Sequence, residues 1–529
     1  MIMSLNIQEV RAEVPAIFIR ADGLVDPADS PIQNSLNMTY RFTADMAKSI
    51  VVQRSNIVID GAGYSLTGTG TEEGISLTGV SNVTVGNVTL SNFENGICLF
   101  SSVNNTILEN HVTGSDYSGI YLSDCSTNNS ISRNQVEDNS YYGIYVTLFS
   151  TSNSMSENFL ARNDDGIRLE RESNSSKIFG NTFAENRLDG IFLSDFSGNC
   201  EIYDNTFRNN SEGVEVSNVS PQNYIHGNNL TDNGYGLFVN ADSNIILANN
   251  VTNSEWGILI SYDNNTVSEN RVTHCNWGFV ISQVANSTVS RNKASENNYG
   301  FNMYGAARIN FSENVLTDNS RAFYMEGQSE SNNFYANTLT GNDFAFSIID
   351  SSYNILSDNI VTNNAEGIHL FDSAFTQVIS NVITNNNATA IDIRYYSNNT
   401  IITDNLIANN NLGIFLNASS ENMIYHNNFI DNTQQAVASN RDTNSWDDGF
   451  PSGGNYWSDY MSKYPNATEI DNSGIGDTAY YLADNNIDHY PFMNSYPVIP
   501  ESISLLTFSA FIAITLLITF VIRRRREDA

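Results

Sequence analysis

The stretch DNLIANNNLGIFLNAS, residues 404–419, surrounds the apolar run GIFL with five asparagines. Asparagine is depleted in β-strands and weak in helices, so this mixture is unusual inside a folded segment. Similar stretches recur along the chain at a nearly constant interval. Self-similarity at a fixed period is the signature of a repeat architecture, and the repeat therefore decides the fold.

Two residue positions define the repeat. The first is a small residue followed by an apolar–x–apolar triplet, which runs from Gly74 to Ala436 with successive spacings of 21–24 residues. The second is an asparagine that runs from Asn87 to Asn427 at a similar spacing. Many of these asparagines are followed by another one five residues later. The segments between them alternate like short strands, and no helical stretch interrupts them.

This period predicts an all-β fold, a single-stranded parallel β-helix of about 16 coils over residues 50–440. Coils of such a solenoid stack about 4.8 Å apart, so inward valines and isoleucines form continuous columns. Leucine-rich repeats have a similar length but need a leucine pattern that is absent here. We expect the asparagines to occupy corners, where they adopt left-handed φ and hydrogen-bond to one another along the column.

The residues outside the repeat are expected to protect its open ends. Residues 1–49 are predicted to form an N-terminal cap and residues 441–495 a C-terminal cap, because exposed β-edges invite pairing with other chains. The remaining segments are a tether over residues 496–502, a transmembrane helix over residues 503–522 and a basic cytoplasmic tail over residues 523–529.

The C-terminal segment predicts a single-pass protein of the cell membrane. Residues 503–522 are apolar and uncharged over a length that spans a bilayer as a helix. Four arginines follow directly, so the positive-inside rule places the β-helix outside the cell. The first residues lack the basic start and apolar run of a signal peptide.

The composition excludes some classes of function. The chain carries 58 acidic and 24 basic residues, a net charge of −34, which repels nucleic acid. Its four cysteines are widely spaced and form no CxxC motif, so they indicate neither a disulfide framework nor a zinc site. Copper prefers clustered Cys, Met or His, and the six histidines fall in different coils, so the residues themselves do not favour copper.

Segments at both ends carry a family resemblance. They are IFIRADGLVDPADSPIQ (17–33), SIVVQRSNIVIDGAGYSLTG (49–68), NSWDDGFPSGGNYWSDY (444–460) and DNSGIGDTAYYLADNNIDHYPFM (471–493). With the coils between them, they resemble the NosD-like family of right-handed parallel β-helix proteins, a carbohydrate-binding or sugar-hydrolysing type of β-helix. Archaeal members of that family often carry a membrane anchor. The resemblance implies the right-handed sense of the coil, and it implies copper handling as one possible role.

Stacking in register lets the outer surface be described as columns. The residue two positions after each anchor glycine should face solvent, and the residue just before the glycine lies at the adjoining corner. Between Tyr121 and Tyr299 these two columns contain carboxylates, one arginine and many aromatic rings. The candidate catalytic residues are Asp165, Arg168, Asp189, Glu212 and Glu215. The candidate substrate-binding residues are Tyr121, Tyr142, Tyr145, Phe192, Tyr235, Phe238, Trp256, Trp277 and Tyr299.

These residue types suit a sugar polymer. Rings stack on the apolar faces of pyranoses, and carboxylates accept hydrogen bonds from hydroxyl groups. Same-slot carboxylates lie about 5 Å apart in adjacent coils and about 10 Å apart in alternate coils, which brackets the geometries of retaining and inverting glycosidases. Like charges at such distances raise one pKa, as a general acid requires.

Three functions stay open. The first is a surface structural or adhesive role, exerted through a polysaccharide or another cell-envelope glycan. The second is a polysaccharide hydrolase, lyase or epimerase that uses the carboxylates at 165–215. The third is the copper handling that the resemblance implies. Calcium is a further possible ligand, because DNSGIGD (471–477) offers Asp471 and Asp477 in a glycine-turned loop, although it lacks the twelfth-position Glu of an EF-hand. Seventeen N-x-S/T sequons, such as those at Asn37, Asn174, Asn218 and Asn466, are candidate glycosylation sites.

Overall fold

A computed structural model describes residues 16–217 and 219–497, which form two compact units. Unit 1 extends to residue 333 and includes residues 337–351. Unit 2 contains residues 334–336 and the chain from residue 352 onward. The described residues form an all-β parallel solenoid of about 17 turns, which confirms the predicted solenoid, with about one coil more than the predicted 16.

Each coil of unit 1 contributes one strand to each of three parallel sheets. Two antiparallel pairings precede the regular coils. Val25–Asp26 pairs with Ile17–Ile19, and Ile32–Ser35 pairs with Thr39–Phe42. These pairings lie within the predicted N-terminal cap, whose first 15 residues fall outside the described residues.

In unit 1 the first sheet contains the strands Ile17–Ile19, Val25–Asp26, Ile50–Val52, Glu73–Thr78, Asn95–Phe100, Ser118–Ser123, Tyr142–Val146, Asp165–Leu169, Asp189–Leu193, Glu212–Val216, Tyr235–Val239, Trp256–Ile260, Trp277–Ser282, Tyr299–Tyr304, Arg321–Glu326 and Phe344–Ile349. The second sheet contains Ile32–Ser35, Thr39–Phe42, Ile57–Asp60, Val83–Gly86, Thr106–Leu108, Ser130–Ser132, Ser154–Ser156, Lys177–Phe179, Glu201–Tyr203, Tyr224–His226, Ile245–Leu247, Thr266–Ser268, Thr288–Ser290 and Asn310–Ser312. The third contains Ser65–Thr67, Thr89–Ser91, His111–Thr113, Gln135–Glu137, Phe159–Ala161, Thr182–Ala184, Thr206–Arg208, Asn229–Thr231, Asn250–Thr252, Arg271–Thr273, Lys293–Ser295, Val315–Thr317 and Thr338–Thr340.

Unit 2 repeats this arrangement and ends in the C-terminal cap. Its first-sheet strands are Glu366–Phe371, Thr389–Arg394, Leu412–Asn417 and Gln434–Ala438. Its second-sheet strands are Ile355–Ser357, Gln377–Ile379, Ile401–Thr403 and Met423–Tyr425. Its third-sheet strands are Ile360–Thr362, Val382–Thr384, Leu406–Ala408, Asn428–Ile430 and Tyr456–Trp457. The cap adds a helix, Tyr460–Lys463, and the antiparallel pair Tyr480–Ala483 and Asn486–Asp488. The strand Asn333–Tyr335 begins in unit 1 and ends in unit 2.

The core forms because strand residues alternate between the interior and the surface. The middle residue of most three-residue strands is apolar and buried, as Ile131 and Val136 are. Successive coils approach each other closely at the anchor glycines. A Cβ at Gly190 would lie 2.5 Å from both the Gly213 carbonyl oxygen and the Phe207 ring, so a small residue is required there.

The asparagine ladder lies inside the corner between the second and third sheets. Asn158, for example, donates from Nδ2 to Asn181 Oδ1 at 3.0 Å and to the Ile131 carbonyl at 2.9 Å. It accepts from the Asn134 backbone N–H at 2.9 Å. The ladder is therefore structural, because each amide satisfies both neighbouring rungs and backbone groups.

The predicted left-handed φ of the ladder asparagines is wrong for most rungs. The left-handed residue is the one before the rung, such as Arg133 at 53° and Glu157 at 55°. Asn87, which the sequence predicted as the first rung, is exposed and makes the turn itself at 56°, and Val88 takes the rung position because its N–H donates to Asn110 Oδ1. The preceding residue makes the turn and exposes its side chain. The asparagine thereby keeps its amide inside, where the hydrogen bonds are.

In unit 2 the cap closes the ladder. Asn427 donates to Asn455 Oδ1 at 3.0 Å, and Asn455 donates to the carbonyls of Ile424 and Trp446. The buried carboxylate of Asp488 accepts from the Asn455 N–H and from the Trp457 indole, both at 2.8 Å. The conspicuous NSWDDGFPSGGNYWSDY segment thus supplies the last rung.

The predicted tether and anchor are only partly described. Tyr496 exchanges two hydrogen bonds of 2.7 Å with the Asn428 side chain, so the first tether residue is attached to the last complete coil. The predicted transmembrane helix, 503–522, and the basic tail lie outside the described residues. Among the residues that are described, no helix has the length and apolar character needed to cross a membrane.

Candidate functional site

The predicted columns on the first sheet of unit 1 exist in the expected register. Tyr142 pairs with Asp165, and Asp189 pairs with Glu212. In the neighbouring column, three residues further along each strand, Arg168 pairs with Phe192, and Phe192 pairs with Glu215. The five candidate catalytic residues therefore come from three consecutive strands, Asp165–Leu169, Asp189–Leu193 and Glu212–Val216.

The first part of the site is an ion-paired network. Arg168 donates to Asp165 Oδ2 at 3.0 Å and to Glu170 Oε2 at 3.1 Å. The Tyr145 hydroxyl also donates to Glu170, and the Asp189 backbone N–H donates to Asp165 Oδ1 at 3.3 Å. Asp165 is 1% exposed, yet both of its carboxylate oxygens have partners. This part of the site is paired throughout, although burial still raises the pKa of Asp165 above its usual value.

The second part is a group of three carboxyl groups, the acidic triad, formed by Asp189, Glu212 and Glu215. One oxygen from each residue lies within 4.8 Å of the other two. Asp189 is 5% exposed, and its Oδ1 is buried and accepts no hydrogen bond from the described residues. Glu212 Oε2 is in the same situation, although the two glutamates are only half-buried. The acidic triad therefore has buried oxygens without hydrogen-bond partners, whereas both carboxylate oxygens of Asp165 have one.

Burial and mutual repulsion perturb these carboxyl groups. Burial, reinforced by the neighbouring carboxylates of Asp165, Glu212 and Glu215, raises the pKa of Asp189 to about 9. Burial and then the Glu215 carboxylate raise the pKa of Glu212 to about 7. Burial also raises the pKa of Glu215. The acidic triad therefore holds protons at neutral pH, a property that clusters at functional sites but also occurs in structural networks.

The third part is an aromatic stack that continues the corner column. It consists of Tyr235, Trp256, Trp277 and Tyr299, all half-buried. Successive ring centroids are 5.5, 5.3 and 4.3 Å apart with interplanar angles of 14°, 18° and 9°. Because the rings cover one another, their edges rather than their faces form the surface.

The remaining aromatic candidates have different surroundings. Tyr145 is buried, contrary to the expectation that its column faces solvent, because its hydroxyl reaches the buried Glu170. Tyr121 stacks on Tyr145 at 5.2 Å. Phe192 lies under the Arg168 guanidinium, 4.3 Å from the ring centroid, and that cation also lies 5.4 Å from Tyr142. Phe238 is half-buried and follows Glu215 in the outer column.

Sequence reasoning missed several side chains. Tyr117 contacts Tyr121, Tyr142 and Tyr145 with ring centroids 5.5–6.5 Å apart, but it lies outside both columns. In unit 2, His369 Nδ1 lies 3.2 Å from Asp392 Oδ2, and Arg394 Nε donates to that carboxylate at 2.8 Å. In unit 2 the column two residues after each anchor residue contains His369 and Asp392, so it could have predicted this second group.

The calcium candidates Asp471 and Asp477 do not form a cluster with further acidic residues among the described residues. The Asp477 carboxylate accepts from the Thr468 N–H at 2.9 Å and from the Thr468 hydroxyl at 2.7 Å. These hydrogen bonds lower the pKa of Asp477 and close a turn. The proposal of a calcium loop there stays a prediction.

Family models match most of the solenoid. A model described as "Right handed beta helix region" matches residues 41–159 and 73–230. A model described as "Periplasmic copper-binding protein (NosD)" matches residues 187–348 and 340–462, more than half of the chain. The chain belongs to the NosD family. Membership confirms the resemblance to a NosD-like family of right-handed β-helix proteins. The archaeal and membrane-anchored character stays a prediction.

Solved structures that resemble this NosD-family chain are distant. XylC in complex with xylose is 12% identical over 46% of this chain and 54% of its own, with a TM-score of 0.30. Alginate lyase AlyF-OU02 with G6 is 15% identical over 56% and 79%, with a TM-score of 0.37. The A-module of the mannuronan C-5 epimerase AlgE4 from Azotobacter vinelandii is 13% identical over 62% and 88%, with a TM-score of 0.28. No curated protein matches the chain. Similarity at this level says nothing about activity.

The described residues do not fit the copper ion that the family description mentions. Copper favours imidazole and sulfur ligands. Among the described His, Cys, Asp and Glu residues, the group of three that could share a metal is the acidic triad, which offers only oxygen. Histidines instead pair singly with carboxylates, as His111 does with Glu137 and His226 with Glu201. Cys98, Cys200 and Cys275 are buried, and all four cysteines are free.

Proposed function

We propose that the protein binds an extended polysaccharide along the outer face of the first sheet in unit 1. The observation that carries this proposal is the aromatic stack from Tyr235 to Tyr299, which forms a continuous half-buried ribbon beside the acidic triad. Sheet strands one coil apart present equivalent side chains at a constant interval, so a polymer with a regular repeat can contact many of them at once.

The aromatic stack combines apolar area with hydrogen-bond donors that have no acceptor among the described residues. The indole N–H groups of Trp446 and Trp457 donate to Asn486 and Asp488. Those of Trp256 and Trp277 donate to no acceptor among the described residues. Half-buried indoles with free N–H groups suit a ligand that is apolar in part and rich in oxygen, as a glycan is. Because neighbouring rings cover one another's faces, the stack offers a sugar its ring edges rather than the ring faces that the sequence predicted.

We also propose that the protein lies on the outer surface of the cell. A helix over residues 503–522 would hold the solenoid on the outer side of the cell membrane, where cell-envelope glycans lie. A surface role of this kind needs binding and no turnover, and it would make the protein an adhesive or structural component of the envelope.

The test is a glycan-array screen of the full-length chain, followed by affinity measurement on the strongest hit. We expect the double variant Trp256→Ala/Trp277→Ala to bind at least tenfold more weakly, a loss of about 1.4 kcal/mol or more. The matched control is Phe179→Ala/Tyr203→Ala, which removes two rings stacked at 4.9 Å on the second sheet of the same unit. An array without any hit, or equal binding by both double variants, would overturn the proposal.

A second candidate is cleavage of the bound polymer, favoured by the close carboxyl pair Glu212 and Glu215, whose oxygens lie within 4.8 Å of each other. A group with a pKa of about 7 can act as a general acid, and the short separation within the acidic triad is nearer to the retaining than to the inverting arrangement. The same glycan hits, examined for shortened chains, decide between the two. Turnover that Glu212→Gln abolishes, with binding retained, would establish the enzyme.

A further inference from the structure

The acidic triad has an electrostatic problem that the rest of the molecule does not solve. Asp189, Glu212 and Glu215 carry up to three negative charges within 4.8 Å. The nearest cation, Arg168, is already shared between Asp165 and Glu170, so its charge is compensated. Buried carboxylates without partners are costly unless they are protonated or bound to a cation.

We propose that Asp189, Glu212 and Glu215 form a binding site for one hard divalent cation of the calcium or manganese type. The unpartnered Oδ1 of the buried Asp189 supports a ligand in addition to the clustering itself. Glu212 Oε2 is a second buried oxygen without a hydrogen bond from the described residues. Two orphaned carboxylate oxygens on adjacent coils are the arrangement that a cation satisfies.

The dimensions of the acidic triad fit such an ion. Calcium binds oxygens at about 2.3–2.6 Å, so two of its ligands can stand up to roughly 5 Å apart on opposite sides of the ion. The three oxygens of the site lie within 4.8 Å of one another. Three oxygens at that limiting separation lie about 2.8 Å from a common centre, so a single ion can contact all three after a small adjustment of the side chains.

The ligand chemistry selects the class of metal. Carboxylates are hard ligands that suit calcium, magnesium and manganese, whereas copper and zinc prefer imidazole or thiolate. Magnesium demands near-ideal octahedral geometry and releases its waters reluctantly, so three carboxylates on a rigid sheet favour calcium or manganese. Half-buried Glu212 and Glu215 leave the outer side of the site open to waters that would complete the coordination.

Bound metal must compete with protons. The groups that face the acidic triad are Asp165 and Arg168 on the preceding strand and Tyr235 on the following one. A carboxylate must be ionised to bind a metal ion, so a cation and protons compete for the same oxygens. Affinity should therefore rise with pH.

The experiment is isothermal titration of the full-length chain with calcium chloride and with manganese chloride, at about pH 6 and about pH 8, in two buffers of different ionisation enthalpy. We expect one saturable site at the higher pH, with protons released on binding and much weaker binding at the lower pH. In Asp189→Asn and in Glu212→Gln the site should lose at least tenfold in affinity. The matched control is Glu366→Gln, which removes a half-buried carboxyl group from the same strand position in unit 2, whose pKa burial also raises.

Two results would overturn the site. The first is the absence of saturable binding of either metal at the higher pH. The second is equal binding by wild type and by both triad variants when circular dichroism shows all three folded, which would assign the binding to the strongly acidic surface in general. Neither result depends on whether a glycan binds, because the probe is the metal alone.

Discussion

The coils between residues 177 and 239 contain two buried polar columns of opposite character. One is the ladder Asn181, Asn205 and Asn228, whose amides hydrogen-bond to one another at 3.0 Å. The other is the acidic triad, which leaves two buried oxygens without a hydrogen bond from the described residues. The ladder repeats one residue per coil, whereas the acidic triad takes Asp189 from one strand and both glutamates from the next. Both groups are polar, yet only the ladder is satisfied.

The difference comes from what each side chain can offer. An amide has both donors and an acceptor, so identical rungs in register satisfy each other. An ionised carboxylate only accepts, so identical rungs in register repel and leave their lone pairs unused. Repetition of a residue along a solenoid is therefore stabilising for asparagine and destabilising for aspartate or glutamate, and an acidic column that persists in a buried position points to a role outside stability.

The largest effect should come from breaking the satisfied column. Asn205→Ala removes hydrogen bonds to Asn228, to the Ile178 carbonyl and from the Asn181 N–H. Each buried group left unsatisfied costs about 1–3 kcal/mol, so we expect a loss of about 4 kcal/mol in the free energy of unfolding. Thermal and urea unfolding of the full-length chain measure it. The control is Asn229→Ala, an exposed asparagine, and an equal loss in both variants would show that the ladder contributes nothing special.

The next effect concerns the ion-paired part of the site. Arg168→Met should leave the buried Asp165 without its cation and cost about 3 kcal/mol, because removal of one partner of a buried ion pair leaves an uncompensated charge. Arg187→Met, which breaks the more exposed pair with Asp164, should cost about 1 kcal/mol or less. Urea unfolding at neutral pH compares the two. A smaller loss for Arg168→Met than for Arg187→Met would contradict the assignment of an ion-paired, buried network.

An effect of opposite sign, whose size depends on pH, comes from the acidic triad. The pKa of Asp189 lies at about 9 in the folded protein against a usual 3.8, so the folded state holds this proton more tightly. Its contribution to stability is present below pH 3.8 and is lost as the pH rises towards about 9. Asp189→Asn removes that loss, so the variant and wild type should be nearly equal in stability at pH 4, and the variant should become progressively more stable than wild type as the pH rises to 8.

This comparison requires melting temperatures in the presence of a chelator, so that no cation occupies the acidic triad. A variant that is less stable than wild type at both pH values would show that the Asp189 carboxylate has a favourable partner. A flat difference across the pH range would show that Asp189 does not titrate as described.

Much of this could be predicted from the sequence because the repeat is regular. The anchor glycines fix the register, and the register alone places Arg168 beside Phe192 and Asp189 beside Glu212. The aromatic stack follows from the same counting, since a residue repeated one coil later must lie above its equivalent.

Other features depend on side-chain geometry that spacing does not contain. Burial of Tyr145 depends on the position of the Glu170 carboxylate, which lies beyond the end of its strand. The left-handed turn falls on Arg133 or Glu157 rather than on the adjacent asparagine, because the backbone bends before the amide enters the interior. Convergence of Glu212 and Glu215 on Asp189 depends on rotamers, and no periodicity encodes those.

The last rung of the ladder in unit 2, Asn455, has a consequence for how such chains vary in length. Each rung hydrogen-bonds to the rungs of the neighbouring coils and to nearby backbone groups, so the ladder does not determine how many coils the solenoid has. Duplication or deletion of one whole repeat leaves every remaining amide with a partner, whereas the residues around Asn455 have a single position that they fit. Solenoids with this terminus are therefore free to differ in coil number, and the terminal segment 444–460, rather than the coils, is the part by which homologues of different length should be aligned.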